Sequence, residues 1–269
     1  MNIKIITFLT YITGLLGNIQ GIIFQVTPIP TIYQGLIKGE IKSITLSYFL
    51  INFANMTFWF CYGFQIKDFF IYALNIPGII LFTIYINIYI YLHLNINFFL
   101  IINASLFILF SFAYKILSSK LNIFLGTLVG LISQTTTIPT MKAALIKKDS
   151  EFINIGLMYV FLFGCVDWLI FGYLKKIYLM VLSNFIQGIF AVTNIFIYFW
   201  ANGNIIEDHI YILILKYLMN INEKDEKSQK NKDNKEEKIQ ILKKNYGMEK
   251  GNYNESNIEK NVESTYDTI

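Results

Sequence analysis

The sequence contains no arginine, and all 22 of its basic residues are lysine. The planar, two-pronged recognition of phosphate or carboxylate that arginine provides is therefore not open to this protein. Cysteine and histidine occur only twice each, without a metal-ligand spacing. Cys61 and Cys165 both fall inside long apolar runs, which argues against a disulfide framework. No nucleophile–base pairing and no glycine-rich phosphate loop is found, so the sequence points away from an enzyme and from a bound cofactor.

Charge is scarce along most of the chain. The formal net charge is only +4, and the lysines are spread over loops and a mixed-charge C-terminal tail. This distribution does not favour nucleic acid as a partner. Hydrophobic residues make up 55% of the chain and the mean hydropathy is +0.49. These values are too apolar for a soluble domain of this length, and they predict an integral membrane protein surrounded by lipid.

Seven apolar runs are long enough to cross a bilayer, which takes roughly 20 residues. Charged or asparagine-rich breaks separate them. The predicted spans are residues 5–37, 44–65, 69–92, 98–117, 121–146, 153–174 and 177–200. Nearly every acidic residue in this region lies at a boundary between runs, and Asp167 is the main exception.

The chain superimposes on itself, without a gap, when it is shifted by 109 positions. The rare residue types carry this observation, because apolar matches mean little in so hydrophobic a sequence. The matched pairs include Gly17 with Gly126, Gly21 with Gly130, Gln25 with Gln134, Pro30 with Pro139, Trp59 with Trp168, Gly63 with Gly172 and Asn75 with Asn184. Two copies of one module therefore form one membrane protein, and function is expected at the seam between them.

Three helices, one extra helix and three more helices make an all-α membrane fold of seven transmembrane helices. The extra helix restores the direction of the chain, so the two repeats are parallel and face the same way. We predict a first three-helix repeat over residues 1–95, a linker helix over 96–120, a second repeat over 121–203, a juxtamembrane or interfacial helix over 204–219, and a disordered charged tail over 220–269.

The orientation rests on the C-terminal tail, since the short loops show no usable lysine bias. Ten lysines follow residue 220, which favours a cytosolic C-terminus and an N-terminus outside. The plasma membrane is preferred over an internal membrane. A homo-oligomer is left open, because three-helix modules often pack laterally.

Both repeats carry a proline motif in their first span. The first reads Thr27-Pro28-Ile29-Pro30-Thr31, and the second reads Thr136-Thr137-Ile138-Pro139-Thr140. Proline removes a backbone hydrogen bond and bends the helix, and neighbouring threonine hydroxyls can satisfy the freed carbonyl groups. One such proline is common in membrane helices, but a pair at the common offset predicts two matching hinges.

Trp59 with Trp168, and Asn75 with Asn184, are the repeated residues that suit a binding site. Taken singly, each tryptophan is equally well explained as an interfacial anchor, and each asparagine as a consequence of biased composition. As pairs facing the axis, they would supply two flat apolar walls and two neutral hydrogen-bonding arms. This chemistry favours a neutral polyhydroxylated solute over an ion.

Asp167 has two interpretations. It is either a proton or cation site, or an acid near the rim of the pore that is paired or reaches the interface. The second interpretation is slightly favoured, because Phe58 occupies the corresponding place in the first repeat.

The motifs Gly17-Asn18, Thr27 to Thr31, Trp59 to Gly63 and Asn75 closely resemble the SWEET (MtN3/saliva) sugar transporters. The resemblance covers about residues 10–200 and implies bidirectional, facilitated sugar movement by alternating access. It implies a central pocket lined by Asn55, Trp59, Asn75, Trp168 and Asn184. It further implies size selection by Phe24 and Ser133, hinge or gate roles for Pro28, Pro30, Thr31, Pro139 and Thr140, and an outer gate at Tyr62 and Asp68.

The sequence departs from the family at its gates. The prolines usual near the start of the second helix of each repeat are replaced, in places that look like Ser47 and Asn154. Thr137 stands where the first repeat has Pro28, and Ile177 stands where the first repeat has Asp68.

Three functions follow from these residues. The preferred one is a uniporter of neutral sugars, and monosaccharides such as glucose because bulky Trp walls and Phe24 narrow the pocket. A proton-coupled amino-acid carrier of the PQ-loop type is the alternative, although its Pro-Gln dipeptide is absent. A seven-helix receptor is the third, and the internal repeat argues against it.

Overall fold

The computed structural model describes residues 3–41, 44–94, 96–205 and 209–221. The described residues form ten α-helices and one short 3-10 turn, Ser150–Phe152. The helices are α1 (Ile3–Val26), α2 (Ile29–Lys38), α3 (Leu46–Gln65), α4 (Phe69–His93), α5 (Ile96–Lys115), α6 (Ser119–Thr135), α7 (Ile138–Lys147), α8 (Ile155–Leu174), α9 (Tyr178–Ala201) and α10 (Ile210–Leu218).

The seven predicted spans correspond to α1 with α2, α3, α4, α5, α6 with α7, α8, and α9. Six of these seven are long and apolar enough to cross a membrane by length and composition. The seventh, α3, has 20 residues, and Asn52, Asn55 and Gln65 make it more polar. We call the end of the bundle where α1 begins the N-terminal side, and the end where α2 and α7 finish the C-terminal side.

Helix boundaries repeat at the sequence offset of 109. α2 and α7 correspond residue for residue at both ends, and so do α3 and α8. The backbone repeats too, since Lys67 and Lys176 are left-handed with φ of 57° and 60°. Gly39 and Lys148, which end α2 and α7, are left-handed at 77° and 50°. The repeat read from a few rare side chains is therefore a repeat of the whole backbone.

The two repeats pack by exchanging helices. α1 packs against α8 and α3 packs against α6, so the first helix of each repeat contacts the second helix of the other. Within each repeat the second and third helices form a close pair. The linker helix α5 packs on α3 and α4, and the Asn87 and Asn103 carboxamides exchange two hydrogen bonds across α4 and α5, of 3.2 and 2.7 Å. This pairing satisfies both amides at membrane depth.

The C-terminal end of the chain is described only in part. The described residues up to 213 form one compact unit, and residues 214–221 belong to a second. α10 forms within the predicted juxtamembrane segment, although residues 206–208 are outside the described part of the chain. The predicted tail lies outside the described residues from residue 222 onward, as does Lys42.

Each proline motif lies where the structure divides the predicted span into two helices, α1 with α2 and α6 with α7. In the second repeat, Thr137 satisfies the Gln134 carbonyl twice, through its backbone N–H at 3.1 Å and its hydroxyl at 2.8 Å. In the first repeat Pro28 has no N–H and no hydroxyl to offer. The corresponding Gln25 carbonyl instead accepts a hydrogen bond from the Tyr85 hydroxyl of α4, at 3.1 Å. At this place in the backbone a threonine therefore satisfies the carbonyl in the second repeat, and a tyrosine from α4 satisfies it in the first.

This difference predicts that removing the Tyr85 hydroxyl lowers the free energy of unfolding more than removing the Thr137 hydroxyl. Tyr85→Phe leaves the carbonyl of the fully buried Gln25 without this donor, and we expect the free energy of unfolding to fall by about 1–2 kcal/mol. Thr137→Val keeps the N–H bond to Gln134 and should cost under about 1 kcal/mol. Denaturation in detergent measures both, with the exposed Tyr91→Phe on the same helix as Tyr85 as control. A larger loss from Thr137→Val than from Tyr85→Phe contradicts this account of the bends.

Candidate functional site

A cavity of about 130 Å³ lies between the two repeats, on the C-terminal side of the bundle. Both repeats contribute to it, and the second repeat supplies more of the lining residues than the first. The lining residues that matter below are Phe24, Asn52 and Asn55 from the first repeat, and Ser133, Gln187 and Asn194 from the second. Among the described residues that line it none is charged, so the cavity offers only neutral polar groups and apolar surface.

Three of the predicted site residues line this cavity together. Phe24 and Ser133 face it from corresponding places on α1 and α6, and Asn55 faces it from α3. The Phe24 ring lies 5.4 Å, centroid to centroid, from the ring of Phe161 on α8, so two phenyl rings narrow the cavity on one flank. Trp59, Trp168, Asn75 and Asn184 are not part of its lining.

The two predicted tryptophans occupy a layer nearer the N-terminal side, where each crosses to the other repeat. A Cβ placed on Gly17 would lie 2.8 Å from Nε1 of Trp168, and one placed on Gly126 would lie 3.2 Å from Nε1 of Trp59. The repeated glycines are therefore the flat surfaces on which the repeated indoles lie. This reciprocal packing explains why both pairs recur at the same offset.

Below the indoles, toward the N-terminal side, lies a mostly apolar group that we call the Tyr62 cluster. Its buried members come from both repeats, and Trp59 and Trp168 pack against it. The buried members are Tyr62, Ile71, Ile123, Phe171, Ile177 and Met180. Ile177 occupies the place that Asp68 has in the first repeat, and its apolar side chain is buried in this apolar cluster. The predicted gate residue Tyr62 thus lies in a plug that fills the space between the repeats.

The predicted asparagine arms are tied to their own helices. Nδ2 of Asn75 donates to the Ile71 carbonyl at 2.5 Å, and Nδ2 of Asn184 donates to the Met180 carbonyl at 2.8 Å. Asn75 is buried and Asn184 is half-buried. Each bond uses one of the two amide hydrogens, so the carboxamide oxygen and the second N–H of each side chain are left for other partners.

Asp68, the predicted gate acid, forms an ion pair across the repeats that the sequence did not reveal. Its Oδ2 lies 2.8 Å from Nζ of Lys175, which follows the C-terminal end of α8 at the N-terminal side of the bundle. The Asp68 side chain is 7% exposed and that of Lys175 is 42% exposed. Ile66 occupies the place of Lys175 in the first repeat, so the search for matched residues passed over it. The sequence did contain a sign of this pair, because Asp68 and the double lysine Lys175-Lys176 lie in equivalent loops of the two repeats.

Removing the lysine from this pair is expected to destabilise the protein. Lys175→Gln leaves the buried Asp68 carboxylate without its counter-charge, and we expect the free energy of unfolding to fall by about 1–3 kcal/mol. Lys176→Gln is the matched control, because its exposed side chain lies outside the pair and should change stability by under about 0.5 kcal/mol. Thermal unfolding in detergent at low and high salt compares them. Equal losses from the two substitutions contradict the assigned role of Lys175.

The family comparison bears on the repeat containing Tyr62 and Asp68. Residues 11–97 match the sequence model of the MtN3/saliva family, described as a sugar efflux transporter for intercellular exchange. A solved eukaryotic SWEET transporter, determined at 3.7 Å, has the same fold, with a TM-score of 0.65 over 74% of this chain and 99% of that chain. The resemblance to the SWEET family is confirmed. Sequence identity to that structure is 13%, so the structural likeness shows fold alone. No curated protein matches the chain at a significant level.

The SWEET likeness makes the missing second-helix prolines informative. In place of a proline, Asn154 caps α8 by accepting a hydrogen bond from the Leu157 N–H at 3.0 Å. Its repeat equivalent is Thr45, which caps α3 through a 3.3 Å bond from the Tyr48 N–H. Ser47 lies one residue into α3, within its first turn. Both second helices therefore begin at side-chain caps, which fix a helix start without a rigid ring.

The other predicted hinge residues surround the two bends of this SWEET-like bundle. Pro28 is buried and precedes α2, while Pro30 and Pro139 occupy the first turns of α2 and α7. Thr31 is half-buried in α2, and the Thr140 hydroxyl donates to the Thr137 carbonyl at 2.7 Å.

Asp167, the acid inside α8, is half-buried and lies within hydrogen-bonding reach of the Gln20 side chain on α1. Its location is the interface between the two repeats. Among the described residues there is no group of three or more histidine, cysteine, aspartate or glutamate side chains that could hold a metal ion.

The sequence analysis missed several polar residues of the cavity, among them Asn52, Gln187 and Asn194. Their repeat equivalents are Phe161, Gly78 and Tyr85, so the offset gave them no weight. A helical-wheel argument could have found Asn52, because it lies one turn before Asn55. The cavity is thus built from unlike residues on a symmetric scaffold.

Proposed function

We propose that this protein is a facilitative, bidirectional sugar uniporter that works by alternating access and prefers monosaccharides such as glucose. One observation carries the proposal: a cavity without charged lining residues lies at the seam between the two repeats, next to an apolar cluster that fills the seam nearer the N-terminal side. A neutral solute with many hydroxyl groups fits such a lining, because it can form hydrogen bonds and requires no counter-charge.

Alternating access follows from the unequal ends of the bundle. The N-terminal side is filled by the Tyr62 cluster and fastened by the Asp68–Lys175 ion pair. The cavity lies on the C-terminal side, next to the two bends. Rocking of one repeat against the other would open the cluster and close the cavity, with the bends at Pro28 and Thr137 taking up the motion.

We assign substrate contacts in two layers. Asn55, Phe24 and Ser133 would meet the sugar in the present state, since they line the cavity. Trp59 and Trp168, with the carboxamide oxygens of Asn75 and Asn184, would meet it when the cluster separates. Indole faces stack on the C–H faces of a sugar ring.

The orientation and the membrane are part of the proposal. An outside N-terminus would place the Asp68–Lys175 pair at the outer face and the cavity toward the cytosol. We place the protein in the plasma membrane, where exchange of sugar between compartments is useful, and leave room for a homo-oligomer.

Counterflow of labelled sugar in proteoliposomes tests the function. Glucose is expected to exchange, and sucrose to exchange at least about tenfold more slowly, because Phe24 and Phe161 narrow the cavity. Phe24→Ala should raise the sucrose-to-glucose ratio, whereas Phe107→Ala, on the exposed face of the linker helix, should leave it unchanged. No exchange of any sugar contradicts the function, and equal rates for the two sugars contradict the size argument.

A proton-coupled carrier remains the second candidate, on the observation that Asp167 contacts Gln20 between the repeats. It predicts uphill uptake driven by a pH gradient and lost in Asp167→Asn. The uniporter predicts that an imposed pH gradient leaves sugar accumulation at equilibrium. Accumulation above equilibrium would favour the carrier.

A further inference from the structure

Gln25 and Gln134 occupy corresponding places in the two repeats, yet their side chains lie in different surroundings. The Gln25 carboxamide is enclosed within the first repeat, where its Nε2 donates to the Leu74 carbonyl of α4 at 3.2 Å and lies 3.7 Å from Sδ of Met56 on α3. Its Oε1 is inaccessible and has no hydrogen-bond partner among the described residues. Gln25 therefore joins three helices of its own repeat and does not line the cavity.

Gln134 lines the cavity instead. Within the described part of the chain its carboxamide forms one hydrogen bond, a long one of 3.4 Å from Nε2 to the neighbouring Ser133 hydroxyl. Its Oε1 accepts no hydrogen bond there and, unlike that of Gln25, it is not enclosed. The oxygen and the second N–H of the Gln134 carboxamide are consequently left for a molecule in the cavity.

The difference between the two glutamines follows from one position in the third helix of each repeat. α4 has a glycine there, and a Cβ on Gly78 would lie only 3.0 Å from Nε2 of Gln25. α9 has Gln187 at the corresponding place, and its Nε2 donates to the Ser183 hydroxyl at 2.7 Å. The Gln187 side chain thus occupies the space that Gln25 uses in the first repeat, and Gln134 is left to line the cavity.

The position one turn earlier in the third helix differs in the same sense. Leu74 packs over Gly21 of α1, since a Cβ on this glycine would lie 2.6 Å from Cδ1 of Leu74. The corresponding residue of α9 is Ser183, which is too small to fill the equivalent space over Gly130. Nε2 of Gln187 lies 3.6 Å from a Cβ placed on Gly130. Gln187 therefore fills part of the space between the first and third helices of the second repeat.

We propose that Gln134 is a substrate-binding residue and that Gln187 is the positioning residue that keeps the Gln134 carboxamide in the cavity. This inference rests on the proposed sugar transport and adds a polar contact to it. A carboxamide can donate to one hydroxyl group and accept from the next, so it suits two neighbouring hydroxyls of a sugar ring. Only the second repeat supplies this contact, because the equivalent Gln25 holds α1, α3 and α4 together.

Matched leucine substitutions separate the roles of the two glutamines. Gln134→Leu is expected to raise the glucose concentration that half-saturates counterflow in proteoliposomes about tenfold, and to change Tm in detergent by less than about 2 °C. Gln25→Leu should leave the half-saturating concentration within about twofold and lower Tm by about 4 °C, because it loses the bond to the Leu74 carbonyl. An unchanged half-saturating concentration in Gln134→Leu overturns the proposal. Absence of glucose counterflow in the unmodified protein overturns the transport function itself.

Substitutions of Gln187 test its positioning role. Gln187→Gly recreates the space that Gly78 leaves in the first repeat, so the Gln134 carboxamide can withdraw from the cavity, whereas Gln187→Leu keeps that space filled. We expect the glycine variant to raise the half-saturating glucose concentration at least about threefold more than the leucine variant. In the Gln134→Leu background the two variants should act alike, because no carboxamide remains to withdraw. Equal effects of glycine and leucine with Gln134 intact contradict the positioning role.

Discussion

We expect Gly63→Ala to unfold at a clearly lower temperature in detergent, whereas Gly172→Ala, the same substitution in the other repeat, stays close to the unmodified protein. A Cβ on Gly63 would lie 2.7 Å from the backbone nitrogen of Tyr72 and 2.7 Å from Cγ2 of Ile71. The backbone of α4 cannot yield without moving the whole helix. We expect a loss of about 3 kcal/mol, at the upper end of overpacking costs, and a fall in Tm of about 10 °C.

Gly172 provides the control because symmetry places it in the same helix pair. Its added Cβ would meet only side-chain atoms of Met180 and Val181, at 3.2 Å, and methionine adapts readily. We expect a change of less than about 1 kcal/mol. Equal destabilisation by the two alanines would show that helix propensity or lipid contact, rather than the close approach of α3 and α4, determines the effect.

Trp168→Ala is expected to open the N-terminal side of the bundle. The indole fills the space over Gly17 and packs against the Tyr62 cluster, with its ring 5.3 Å from that of Phe171. Its loss should weaken the closed arrangement by about 2 kcal/mol, less than for a fully buried tryptophan because Trp168 is half-buried. That difference corresponds to roughly a thirtyfold shift toward the open state.

A cysteine at Ile123 reports the opening, because this side chain is buried in the Tyr62 cluster. With Cys61 and Cys165 replaced by serine, a membrane-impermeant maleimide should label Ile123→Cys at least about tenfold faster in Trp168→Ala than in Trp168→Phe. Phenylalanine retains a flat ring over Gly17 and serves as the control. Identical labelling rates would mean that the indole does not hold this side closed.

Sequence reasoning recovered the features that obey the repeat and missed those that break it. The offset singled out both proline motifs, the repeated glycines and the two tryptophans, because each has an equivalent in the other half. Lys175 has the equivalent Ile66 and was invisible to the same comparison. Asn194, opposite Tyr85 in the register, was missed for the same reason.

The predicted central pocket illustrates a second limit. Pairing of residue types showed that Trp59 and Trp168 belong together, but not at which depth the open space lies. Depth depends on how the two repeats tilt, and tilt is set by packing between α1 and α8 and between α3 and α6. The structure places the cavity one layer away from the indoles, around Asn55.

The two bends also differ in how much freedom they leave to their neighbours. At the second bend, Thr137 satisfies the Gln134 carbonyl from within the same segment, so a shift of α9 does not break this hydrogen bond. At the first bend, the Gln25 carbonyl depends on the Tyr85 hydroxyl of α4. A shift of α4 relative to this bend would break the hydrogen bond and leave the carbonyl unsatisfied in an apolar environment. In the proposed rocking motion the first repeat is thus tethered at its bend and the second is not, so we expect the second repeat to move first.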